Sequence, residues 1–346
     1  MPRSSKFISA LGRPFASLKV KVQGFMARRP HRSFQLTRRR DYRRSLQLPG
    51  YIAFTATVNK TLWRNRKIFL LFAAVYAVLS IVLIGIGSQE TYSTLTSTLR
   101  DTGSEVFEGD FAELGKASLL FVSVVSTGLT GAPTEAQQIY TVILGLMVWL
   151  VSVWVLRNVL AGHRVRLRDG LYNAGAPIIA TFLVGIVFVI QLIPIGIAVL
   201  GFTAANNTGL LVGGVESMLF WFVAALLTVL SLYWTTSTFF AMVIVTLPGM
   251  YPFKALKVAG DMVVGRRLRI LLRMVWMLVV IAITWSIILL LLILLDSGLK
   301  QLWSAIEWVP IIPVAMLLLG IATIIWSSSY VYLLYRRVVD DDAKPA

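Results

Sequence analysis

Apolar residues along this chain gather in long runs divided by polar or charged connections. Six runs are long enough to cross a membrane: 68–86, 139–160, 177–201, 218–247, 271–295 and 311–334. A helix rising 1.5 Å per residue needs about 20 residues to span about 30 Å of hydrocarbon. The pattern predicts an all-α integral membrane protein with six transmembrane helices. The fourth run is the longest, so it tilts or continues beyond the bilayer as an ordinary helix. A further stretch, ASLLFVSVVSTGLTGAP from Ala117, is apolar for about fifteen residues. That is nearer the length of an interfacial or re-entrant segment than of a span.

The connections carry a different pattern. In PFKALKVAGDMVVGRR, Phe253, Leu256, Ala259 and Val263 recur at three- and four-residue spacing, while Lys254, Lys257 and Asp261 take the other face. Such a helix lies along headgroups and turns the chain from the fourth span into the fifth. RVRLRDGLYNAGAP, before the third span, is expected to do the same, and residues 51–67 form a third interfacial elbow before the first span.

Composition strengthens the membrane reading. Apolar residues make up 57% and charged residues 14% of the 346 residues, against about 25% charged in an ordinary soluble domain. The chain has no cysteine, which excludes disulfides, thiolate catalysis, thiolate metal ligation and S-acylation.

Charge orients the spans. Residues 1–67 hold seventeen Lys or Arg against one acid, Asp41, so nearly all of the net +17 lies there. The segment 88–138 has seven acids and two bases; the next connection carries Arg164, Arg166 and Arg168; the one after has no base. Lys254, Lys257, Arg266, Arg267 and Arg269 follow, then a weakly acidic link, then Arg336 and Arg337. Basic connections mark the cytoplasmic side, and their strict alternation predicts both termini there. Were 117–133 a full crossing, every later connection would invert. The expected organisation is therefore a basic arm over 1–50, the elbow over 51–67, a six-helix membrane domain over 68–337 with an outer segment over 88–138, and an acidic tail over 338–346. Asp340, Asp341 and Asp342 read as a solvated part of that tail, with weak attraction to the arm as the alternative.

The arm has three readings. Each Lys or Arg near an anionic leaflet is worth roughly 1 kcal/mol, so a lipid-facing arm is the first. Contact with nucleic acid or ribosome through phosphate is the second. An organelle-targeting segment is the third, since the first forty residues contain Arg and Ser and no acid. Headgroup contact is assigned to Arg38, Arg39, Arg40, Arg43, Arg44, Arg64, Arg66, Lys67, Arg164, Arg166, Lys254, Lys257, Arg266 and Arg267. Arg273, near the inner end of a span, is expected to snorkel toward the headgroups.

Catalytic motifs do not assemble. GDFAELGKAS has five residues between its glycines and Ala117 where a Mg²⁺-binding hydroxyl belongs, so it is no phosphate loop. His31 and His163 lie apart, without clustered acids, and no metal or cofactor is expected. Polar groups within the spans are few: Gln191 near Pro194, and the run SLYWTTSTFF with Ser231, Thr235, Thr236 and Thr238. Helix packing is their simplest role. A polar pocket of Gln191, Ser231, Thr235 and Thr236 for a neutral solute is the alternative.

LPGYIAFTATVNKTLWRNRKIF, LRDGLYNAGAP and TLPGMYPFKALKVAGDMVVGRRLRI together resemble an uncharacterised group of polytopic bacterial plasma-membrane proteins, over roughly residues 48–337. The third stretch is also similar to cytoplasmic loops in the membrane domain attached to some glycerophosphodiester phosphodiesterases. Their chemistry does not carry over, because the separate catalytic barrel is lacking. The resemblance implies a bacterial plasma membrane and no catalytic residue. The expected function is a non-enzymatic membrane protein contacting anionic lipid; the alternative is a permease for a small neutral or lipid-like solute.

Overall fold

The structure is a computed structural model that describes residues 46, 48–84, 134–208, 211, 213–302 and 311–342. Most of the arm, nearly all of the outer segment with the stretch from Ala117, and the link 303–310 lie outside these residues. Every described residue belongs to one unit, Leu46–Ala346.

Among the described residues the chain is helical, without strands. The helices are α1 (Tyr51–Arg64), α2 (Arg66–Leu83), α3 (Glu135–Leu160), α4 (Leu167–Ala174), α5 (Ile178–Asn207), α6 (Val215–Ile244), α7 (Pro252–Val263), α8 (Arg267–Leu302) and α9 (Ile311–Asp342). Six of them, α2, α3, α5, α6, α8 and α9, are long and apolar enough to cross a membrane. The chain is thus a multi-pass membrane protein.

Local chemistry sets several boundaries. Asn65 separates α1 from α2, and its Nδ2 donates to the Thr61 carbonyl at 2.9 Å, satisfying one of the acceptors left at the end of α1. At the start of α3, Thr134 Oγ1 accepts from the Gln137 N–H while the Gln137 side chain accepts from the Thr134 N–H. This reciprocal capping box satisfies two donors that the first helical turn leaves open. Gly162, with φ of 81°, ends the turn after α3 in a conformation that side chains disfavour.

Hydrogen bonds between helices fix their directions. From α5 to α6 the partners descend along one helix as they climb the other: Gln191 with Thr238, Ile195 with Ser231. The same holds from α8 to α9, where Arg266, just before α8, meets Asp341 and Trp285 meets Thr323. Gln137 Nε2 donates to the Ile84 carbonyl at 2.8 Å, joining the end of α2 to the start of α3. Arg157, late in α3, donates to the Thr246 carbonyl just past α6 at 3.1 Å. The starts of α2, α5 and α8 therefore share one end of the body with the ends of α3, α6 and α9. The short helices α1, α4 and α7 sit at this same end, called the basic end below.

The densest packing is also there. Phe54, Leu156, Phe240, Ile244, Ala259, Ile270, Tyr330 and Leu334 are nearly or fully buried and belong to one apolar cluster. Helix α9 is its centre, packing against α1, α2, α3, α6 and α8. Elsewhere Leu219, Phe222, Ile283, Ile287 and Leu290 lie on the outside, which is tolerable only where the solvent is itself apolar.

The structure refines the pattern-based reading at α7 and departs from it at the C-terminus. On α7 the buried stripe is Ala255, Ala259 and Val263, whereas Phe253 is 85% exposed. Two alanines one turn apart let α7 approach α6 closely, so the small residues face protein and the large one faces out. At the C-terminus, α9 continues through Asp342, and Asp341 is buried beside Arg266, where a solvated tail was expected.

Gly170 marks a close approach. A Cβ there would lie 2.5 Å from the tip of the buried Phe72 ring and 3.5 Å from Trp154. Gly170→Ala gains helix propensity of about 1 kcal/mol but overpacks a confined ring at about 1–3 kcal/mol. We expect a lower thermal unfolding midpoint in detergent; a midpoint unchanged or raised would show that the ring has room.

Candidate functional site

The basic end presents its cations in an ordered way. Arg64, Arg66 and Lys67, at the α1–α2 junction, are exposed, as are Arg164 and Arg166 between α3 and α4 and Lys254 and Lys257 on α7. Large aromatic residues stand beside them: Trp63, Tyr172, Tyr251 and Phe253 are all exposed. Rings with an apolar body, beside cations, match the composition of a membrane–water boundary.

The remaining candidates behave differently. Arg267 is half-buried and stacks over the Tyr233 ring at 3.9 Å. Arg266 is 2% exposed. Its Nε donates to the Met262 carbonyl at 3.0 Å, and its Nη1 lies 3.6 Å from Asp341 Oδ2. A guanidinium held inside the protein in this way does not reach headgroups. Arg273 is also buried; it donates to the Pro49 carbonyl and stacks over Tyr51 at 4.1 Å. It therefore anchors the segment entering α1 and does not snorkel. Arg38, Arg39, Arg40, Arg43 and Arg44 lie outside the described residues.

Two concavities open near the α1–α2 junction. One, of about 490 Å³, is lined by Arg64, Asn65, Arg66, Lys67 and His163. The other, of about 650 Å³, is a groove between α2 and α8 with α9 behind it, and its wall is mainly apolar. Arg66 lines both. At the rim of the groove Arg66 lies over the Trp63 ring at 5.1 Å, and Trp326 Nε1 donates to Asn59 Oδ1 at 2.7 Å. Deeper, Thr284 donates to the Val280 carbonyl, and Thr323 donates to Leu319 while accepting from Trp285 Nε1. Both hydroxyls serve the helices, so the groove's depth is effectively apolar.

The polar residues of α5 and α6 come together as a fastening. Pro194 has no N–H and disrupts the helical ladder around it. Ser231 Oγ accepts from the nearby Ile195 N–H at 3.2 Å. Gln191 Oε1 accepts from Thr238 Oγ1 at 2.6 Å. Thr235 and Thr236 both donate to the Leu232 carbonyl, at 3.3 and 2.6 Å. The two bonds that cross between α5 and α6 help hold the helices together at roughly 0.6 kcal/mol each, while those of Thr235 and Thr236 stay within α6.

Linear reading did not find the groove or the buried arginines. Asn59, Trp63, Thr284 and Trp326 come from three helices far apart in sequence, and no spacing relates them. An asparagine one turn before an exposed tryptophan is the nearest signal, and it is weak.

No family model matches the chain, and neither characterised proteins nor solved structures show a significant match to it.

Proposed function

We propose that this protein is a non-enzymatic, multi-pass protein of a bacterial plasma membrane, with its basic end and both termini in the cytoplasm, that holds anionic lipid through its arm and its three short helices. This reading places it with the bacterial group that its loop sequences resemble. The observation that carries it is the gathering of Arg64, Arg66, Lys67, Arg164, Arg166, Lys254 and Lys257 on one end of the helical body, all exposed and interleaved with exposed aromatics. Cations at a leaflet rich in anionic lipid gain energy that falls off over a Debye length. In sequence the arm adds Arg38, Arg39, Arg40, Arg43 and Arg44 shortly before α1. Transport of a neutral solute finds less support, because Gln191, Ser231, Thr235 and Thr236 already spend hydrogen-bonding capacity between and within helices.

A synthetic peptide of residues 1–50 tests the central claim by flotation with vesicles. It is expected to float with phosphatidylglycerol vesicles at low salt and to be released at about 1 M salt, where the Debye length has shrunk to about 3 Å. No flotation at low salt would remove the arm from lipid binding. Equal flotation with neutral phosphatidylcholine would remove the electrostatic basis.

A further inference from the structure

We propose that the groove between α2 and α8 is a binding site for one anionic phospholipid, its acyl chain along the groove and its phosphate at the rim beside Arg66. The inference rests on the reading that the basic end faces an anionic leaflet, and it adds a single, shaped site to that diffuse contact.

Three features point to such a ligand. The groove's volume, about 650 Å³, falls in the roughly 300–1,000 Å³ range of small-molecule sites. Its chemistry is divided along its length. The rim holds the Arg66 guanidinium, and Asn59 has its carbonyl occupied by Trp326, so it has N–H donors left to offer. The depth holds Phe69, Ala73, Ile288 and Ala322. Among the described residues no carboxylate lines it, so the rim is complementary to an anion and not to a cation. From Arg66 to Ala73, α2 rises about 10 Å, most of the way through one leaflet of a bilayer core about 30 Å thick. An apolar tail under a negative head fits this arrangement, whereas a wholly water-soluble phosphate leaves the depth without a partner.

Native mass spectrometry of the full-length protein, stripped of lipid in detergent and then given phosphatidylglycerol or phosphatidylcholine, reads the site directly. One phosphatidylglycerol is expected to stay bound under conditions that remove phosphatidylcholine. Arg66→Gln is expected to lower phosphatidylglycerol retention about fivefold, the factor one cation near an anionic surface carries. Ala322→Phe, which fills the exposed depth from α9, is expected to abolish the adduct; if that variant does not fold, Ala73→Phe fills the same space from α2. Equal retention of the two lipids, or an adduct that survives the filled groove, would overturn the proposal. Gln at Arg38, Arg39, Arg40, Arg43 and Arg44 separates the two levels. In that variant the salt-sensitive enrichment of anionic lipid around the protein is expected to fall while the single adduct remains. Loss of the adduct alone in the groove variants, with enrichment intact, supports the site. Absence of enrichment in the native chain would sink the underlying reading, whatever the groove retains.

Discussion

Asp341→Ala is expected to destabilise the protein by roughly 3–5 kcal/mol, the cost of removing one member of a buried ion pair. Arg266 and Asp341 have side chains 0% and 7% exposed and approach to 3.6 Å. In the variant the guanidinium stays enclosed by the α7–α8 corner with that carboxylate gone. The pair ties this corner to the final turn of α9, so its loss should loosen both. Replacing both partners, Arg266→Met with Asp341→Leu, should recover most of the stability, because two apolar groups carry no desolvation cost. Thermal unfolding in detergent measures both. An Asp341→Ala midpoint equal to that of the native chain would show that the pair contributes nothing.

Arg273→Met should come next, at about 3 kcal/mol, with an effect concentrated on the entry to α1. The side chain makes a charge-assisted hydrogen bond to the Pro49 carbonyl, worth about 1.5–3 kcal/mol. It also stacks on the partly exposed Tyr51 ring, worth about 0.5–1 kcal/mol. Methionine keeps the bulk and loses both. Hydrogen exchange should therefore quicken at Phe54, whose N–H donates to the Gly50 carbonyl as the first bond of α1, more than in the later turns. Lysine keeps the charge but not the planar stack, so Arg273→Lys should fall between the two. Uniform exchange across α1 in Arg273→Met would show that Pro49 is held by other contacts.

The six spanning helices were legible in the sequence because hydrocarbon imposes a length and forbids most charges. Their ends were less so. Helix α8 starts at Arg267, before the apolar run at 271, and α9 runs to Asp342, beyond 334. These extra turns contain charges and are stabilised by contacts with distant segments, which a hydropathy pattern does not register. Which apolar residues of α7 meet protein was not legible for a related reason. In a membrane protein apolar side chains suit both lipid and protein neighbours, so amphipathic spacing finds the polar face and cannot say which apolar residue meets which partner. Phe253 and Ala255 differ in size, not polarity, and size decided the packing. The clustering of exposed cations was readable from charge alternation; the withdrawal of Arg266 and Arg273 was not, since it depends on Asp341 and Pro49.

The central position of α9 has a consequence for the order in which the protein is made. Five other helices pack on it, yet it is synthesised after all five of them. Until it arrives, α2, α3, α6 and α8 can each persist in the bilayer as separately hydrogen-bonded rods, since a helix satisfies its own backbone. They cannot close their shared interior. A chain ending before α9 would leave Phe54, Leu156 and Ile244 without the neighbour that completes their enclosure, so closing the core is a late docking step that waits for the thirty-two residues of α9.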